Sequence, residues 1–183
     1  MPKDVHVVST VEIPDGVEVT IDGSKVRVRG PKGELERDFS HARGVIMRVE
    51  DGKFVVEAFF ARSRTRALVG TIAAHVRNMI LGVTKGFRYK LKVIYSHFPI
   101  NIKVEGDRVV ITNFLGERAP RVARILPGVK VQVKGQDVVV EGIDIEKVAQ
   151  TAANIERATH ISDKDRRKFL DGIYIYQREV VEA

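Results

Sequence analysis

With 183 residues, 44% of them hydrophobic, the chain has enough material for one packed domain or two small ones. It has no cysteine, which excludes a disulfide framework, a thiolate metal site and a cysteine nucleophile, and fits a reducing cytosol. Lys and Arg number 31 against 24 Asp and Glu, and the excess is local: Ala58 to Val104 holds nine cations and no acid, while the remainder carries 22 against 24.

Such a lopsided segment repels itself, and a polyanion, above all nucleic acid, would relieve the repulsion. A solvated basic face with no partner is the alternative. The first residues, Met1-Pro2-Lys3-Asp4, lack the apolar core of a signal peptide. No apolar run approaches the roughly 20 residues that span a bilayer. The expectation is a soluble, intracellular protein with no membrane partner.

Taken in chain order, Val17, Val19 and Ile21 alternate with polar residues, as do Val26 and Val28, with Asp22-Gly23-Ser24 as a turn between them. This predicts a hairpin with one buried face. Val45, Met47 and Val49, then Asp51-Gly52, then Phe54 to Glu57 predict a second hairpin. The period then changes. Leu68, Thr71, Ile72, His75, Val76, Met79 and Ile80 share one helical face, and Gly82 is a helix stop. Phe87, Tyr89, Leu91, Val93 and Tyr95 alternate as a strand that closes this unit.

The same order recurs. Val17 to Gly23 matches Ile100 to Gly106, Val55-Val56-Glu57 matches Val139-Val140-Glu141, and Thr71 aligns with Thr151. Val148, Ala149, Ala152, Ile155 and Glu156 form the second helix face, and Ile173 to Tyr176 the last strand. The period is too long for a solenoid and suits a small domain. The expected fold is α+β: two tandem duplicated domains, residues 1–97 and 98–183, each a mostly antiparallel sheet with a helix packed on one face.

Three basic clusters stand out. Arg62, Arg64 and Arg66 alternate just before the first helix; in a loop they would reach outward, and Arg offers a planar fork for phosphate. Solvation of the helix start is the other reading. Lys85 precedes Arg88, Lys90 and Lys92, which would form a basic stripe opposite Phe87, Tyr89 and Leu91. Lys164, Arg166, Arg167 and Lys168 sit among Asp163, Asp165 and Asp171, so an internal ion-pair network competes with RNA contact there. Tyr174, Tyr176 and Arg178 follow on the last strand.

Enzyme motifs are absent: there is no His-Glu-x-x-His, no Gly-x-Gly-x-x-Gly, no phosphate loop and no Gly-x-Ser-x-Gly. The five histidines show no metal-ligand spacing. No catalysis, no cofactor, no metal and no small-molecule substrate are expected. A free module that meets an acidic protein is the rival to RNA binding.

Thr65 to Thr71, running on to Gly82-Val83-Thr84-Lys85-Gly86-Phe87, resembles the helix and following strand of the large-subunit ribosomal protein L6 family. Arg166-Arg167-Lys168-Phe169-Leu170-Asp171-Gly172-Ile173-Tyr174 resembles the C-terminal motif of its archaeal and eukaryotic branch. Ile13-Pro14-Asp15-Gly16-Val17 and Gly30-Pro31-Lys32-Gly33 fit as well, so the resemblance covers essentially the whole chain. It implies a cytoplasmic ribosomal protein bound to large-subunit rRNA near the sarcin–ricin loop and the translation-factor site, with other ribosomal proteins as neighbours. In the family the second domain makes much of the RNA contact. The rRNA-binding set is then Arg62, Arg64, Arg66, Lys85, Arg88, Lys90, Lys92, Lys164, Arg166, Arg167, Lys168, Tyr174, Tyr176 and Arg178.

Overall fold

A computed structural model describes residues 4–165 and 167–181. The chain divides into two compact units, Met1–Lys85 and Gly86–Ala183.

In the first unit, β1 (Asp4–Glu12) is followed by the predicted hairpin β2 (Glu18–Asp22) and β3 (Lys25–Gly30). Strand β4 (Gly33–Asp38) then pairs with β3. The second predicted hairpin is β5 (Ile46–Glu50) and β6 (Lys53–Ala61). All pairings are antiparallel, in two three-stranded sheets ordered β1-β6-β5 and β2-β3-β4. Helix α1 (Ser63–Thr84) packs on β6, β1 and β3. It buries Val69, Ile72, Val76, Ile80 and Val83 against Val26, Val28, Phe54 and Val56. Each such side chain contributes roughly 1.5–3 kcal/mol by leaving water. At 22 residues α1 is long and apolar enough to cross a bilayer, contrary to the expectation from runs, but its apolar stripe is what closes this core.

The second unit opens with β7 (Phe87–Ile94). The hairpin β8 (Asn101–Glu105) and β9 (Arg108–Thr112) follows, then a single 3-10 turn at Phe114–Gly116 and β10 (Arg121–Arg124), which pairs with β9. Next come the hairpin β11 (Lys130–Lys134) and β12 (Asp137–Gly142), helix α2 (Ile145–Ala158) and β13 (Gly172–Val180). One sheet is ordered β10-β9-β8, the other β11-β12-β7-β13. Helix α2 buries Val148, Thr151, Ala152 and Ile155 and packs on β12, β7 and β13.

The α+β duplication is present, but β7 lies on the other side of the boundary from its expected place. It pairs with β12 as β1 pairs with β6, both antiparallel and both as the strand that precedes the first hairpin of its copy. The strand read as closing the first copy therefore opens the second. The compact units meet between Lys85 and Gly86, not between residues 97 and 98. Alternation reveals which side chains are buried; it does not reveal which strand lies alongside. Tyr95 falls just outside β7. β13 is an addition to the second copy, pairing with the free edge of β7.

Candidate nucleic-acid interface

The arginine trio does not lie in a loop. Arg62 is the N-cap of α1, in extended conformation and without a side-chain cap, and Ser63 begins the helix. Arg64 and Arg66 therefore sit in its first turn, all three arginines are exposed, and no acidic residue lies in that turn. Backbone dipoles place positive potential at a helix start, so three guanidiniums there raise the local cost and favour an anion. α2 shows the opposite arrangement: Asp144 caps it by accepting from the Glu146 N–H at 2.9 Å, Glu146 sits in the first turn and Arg157 in the last. Lys85 is exposed at the far end of α1, about 30 Å from the trio at 1.5 Å per residue, so the two do not form one patch. Phe59 and Phe60, just upstream of the trio, are also exposed, which sequence alternation did not flag.

The β7 cluster differs from its expected bare stripe. Arg88 lies directly opposite Glu141 on β12 and Glu179 on β13 and bonds both, the latter at 3.3 Å. Lys90 Nζ is 3.1 Å from Glu179, and Lys92 Nζ is 3.1 and 3.2 Å from the two Asp137 oxygens. The Tyr176 hydroxyl donates to Asp137 at 3.3 Å. Hydrogen bonding to Glu141, and to Glu179 beyond it, raises the Arg88 pKa; Lys90 and Arg88 in turn hold Glu179 below the usual glutamate range. The segment has no acid along the chain, yet in space it is a ladder of cross-strand ion pairs. Chain-local charge counting misses partners that β12 and β13 bring in from far away in sequence. Arg178 is exposed, its guanidinium 5.8 Å from the Tyr89 ring centroid.

Between α2 and β13, residues 159–171 carry the third cluster; Arg166 lies outside the described residues. The backbone turns at Asp165, whose carbonyl accepts from the Lys168 and Phe169 N–H groups at 3.0 Å. Arg167 bonds the Asp165 carboxylate, at 2.9 Å in its shortest contact, and the pair lowers the Asp165 pKa. The Arg167 side chain is nevertheless 90% exposed, and such a surface pair is weak enough for a phosphate to compete. Lys164 and Lys168 are exposed. Tyr174 is half-buried and donates to the Leu170 carbonyl at 3.1 Å, so its hydroxyl is engaged; Tyr176 is exposed.

What holds this segment was not legible in the sequence. Asp171 is 1% exposed and accepts from Ser96 N–H (3.1 Å), Ser96 Oγ (3.2 Å), His97 N–H (3.4 Å) and His97 Nδ1 (3.1 Å). Burial pushes its pKa up, but the bonds from His97 and Ser96 outweigh this and leave it below the ordinary aspartate value. The His97 ring stacks on Phe169 with centroids 4.9 Å apart. Nearby, Arg121 forks onto Glu117, donates to the Ala158 and His160 carbonyls, and covers Phe114 at 4.3 Å. Among the described residues no cluster of three or more His, Asp and Glu could hold a metal ion.

The profile of the family described as ribosomal protein L6 matches residues 13–86 and again residues 98–172. The chain is 72% identical over 181 residues to large ribosomal subunit protein uL6 of Aeropyrum pernix, covering 99% of this chain and all of that one. It is 65% identical over 185 residues to uL6 of Ignicoccus hospitalis, covering 99% and 100%, and 54% identical over 172 residues to uL6 of Saccharolobus solfataricus, covering 94% and 95%.

Proposed function

Because the chain belongs to the archaeal branch of the ribosomal protein L6 family, and is a structural, non-enzymatic protein of the large ribosomal subunit, we propose that it binds large-subunit rRNA near the sarcin–ricin loop, beside the translation-factor site. In this reading the protein works on the cytoplasmic ribosome with other ribosomal proteins as neighbours.

The observation that carries it is the difference in exposure among the cations. Arg62, Arg64, Arg66, Lys85, Lys164, Arg167 and Lys168 are exposed, while Arg88, Lys90 and Lys92 are half-buried and bonded to carboxylates. The RNA-facing set is therefore the exposed one, with Arg178 and Tyr176 at its margin. Tyr174 is a support, because its hydroxyl is already used. Contacts of this kind grip phosphate and read the shape of the RNA rather than its bases. Two units on one chain can grip two RNA elements, and binding one raises the effective concentration for the other.

The test is binding of the purified chain to in vitro transcribed large-subunit rRNA over a range of salt. Log affinity should fall linearly with log salt, by about 0.7–0.9 per contacted phosphate. A flat response would exclude RNA as the partner.

A further inference from the structure

We propose that Asp171, acting through His97 and Phe169, is a positioning residue that sets the shape in which the C-terminal cations meet RNA. This rests on the RNA-binding reading above and adds what governs that contact.

The described residues between 162 and 170 contain no helix or strand, so no backbone ladder fixes their course. Lys164, Arg167 and Lys168 crowd into five positions and repel one another. The order comes from outside. The Asp171 carboxylate draws all four of its hydrogen bonds from Ser96 and His97, which follow β7 more than seventy residues earlier. His97 passes the constraint to Phe169 by stacking, and Lys164 Nζ stands 5.6 Å from the centroid of the same ring. The path runs from a buried carboxylate to an imidazole, to a phenyl ring, to a cation.

Support of the core is a poor account of this clasp. Of residues 162–170 only Phe169 is even half-buried; the other described ones are exposed. The start of β13 has its own anchors, since Ile173 N–H donates to Thr159 Oγ1 at 2.9 Å and Ile175 N–H to Glu156 at 3.1 Å. Opening the clasp therefore leaves the sheet in register and frees the cationic segment. Asparagine has nearly the shape of aspartate but one acceptor oxygen and two N–H donors, so it cannot accept all four bonds.

The experiment is a double-mutant cycle on the full chain, read by salt-dependent binding to in vitro transcribed large-subunit rRNA. Asp171→Asn should weaken binding about 30-fold, because the segment must then be ordered on the RNA. Arg167→Ala with Lys168→Ala should weaken binding in the wild-type background and add little in the Asp171→Asn background. Phe169→Ala opens the clasp without touching the carboxylate and should give the same non-additive pattern, which decides the matter if Asp171→Asn does not fold. Additive losses, or wild-type affinity in the clasp variants, overturn the proposal while leaving RNA binding intact. A wild-type chain that binds no RNA overturns both readings.

Discussion

The contrast between Arg88 and the pair Arg62 and Arg64 yields the sharpest prediction. All three belong to the same acid-free run in sequence, so charge counting assigns them one role. The structure separates them. Removing Arg62 and Arg64 together takes away two exposed guanidiniums and should lower the slope of log affinity against log salt by about 1.4–1.8. The fold should be unaffected or slightly stabilised, since two charges of the wrong sign leave the start of α1. Arg88→Ala should do the reverse. It leaves Glu141 without its guanidinium partner and Glu179 with only Lys90 of its two cations, and their side chains are 33% and 26% exposed. Discounted for solvent, the loss is about 1 kcal/mol. For a unit of this size that lowers the midpoint of thermal unfolding by about 4–8 °C, while the salt slope should not change. Filter binding across about 50–200 mM salt, paired with calorimetry, measures both quantities. A slope that drops for Arg88→Ala as it does for Arg62→Ala with Arg64→Ala would refute the distinction between the exposed cations and the half-buried, carboxylate-bonded ones of β7.

Acid should destabilise the protein within a defined window. Asp171, Glu57 and Glu179 all titrate below their ordinary values of 3.8, 4.5 and 4.5; for Glu57 the chief cause is the hydrogen bond from His6, then that from Arg48. A depressed carboxylate stabilises the fold fully above its unfolded value and loses that contribution as pH falls through its folded one. Chemical denaturation should therefore be insensitive to these groups near neutrality and weaken below about pH 4.5, less steeply in Asp171→Asn. Two glycines should respond oppositely to alanine. A Cβ on Gly30 would stand 2.6 Å from Val83 Cγ2 and 3.0 Å from the Val83 carbonyl, where β3 meets α1, and Gly30→Ala should cost about 1–3 kcal/mol. Gly70 is exposed within α1 with open space around it, and Gly70→Ala should add about 0.5–1 kcal/mol; calorimetry reads both signs.

The duplication and four of its hairpins were legible because Asp22-Gly23, Asp51-Gly52, Glu105-Gly106 and Lys134-Gly135 punctuate alternating strands. β1, β4 and β10 were not anticipated. β4 carries Glu34, Glu36 and Arg37 around the single apolar Leu35, and its place is set by pairing with β3 rather than by pattern. The start of α1 was placed too late because Ser63 to Arg66 add nothing to the apolar stripe. Within the interface, exposure at the helix start follows from composition, but the neutralisation of Arg88, Lys90 and Lys92 does not. Their partners are 45 to 91 residues away and become neighbours only when β12 and β13 flank β7. The Asp171–His97 clasp has the same character: each half reads as an ordinary turn or linker residue until the fold joins them.

β13 has no equivalent in the first copy, so the two duplicates finish differently. The last nine-residue strand acts as a stopper on the sheet of the second copy, whereas beside β1 no described strand stands in the same place. A chain cut short before Gly172 would uncork β7, so that its eight-residue strand becomes the open rim of that sheet in place of β13. Shortened forms of the protein would then be the ones most prone to stick together strand to strand.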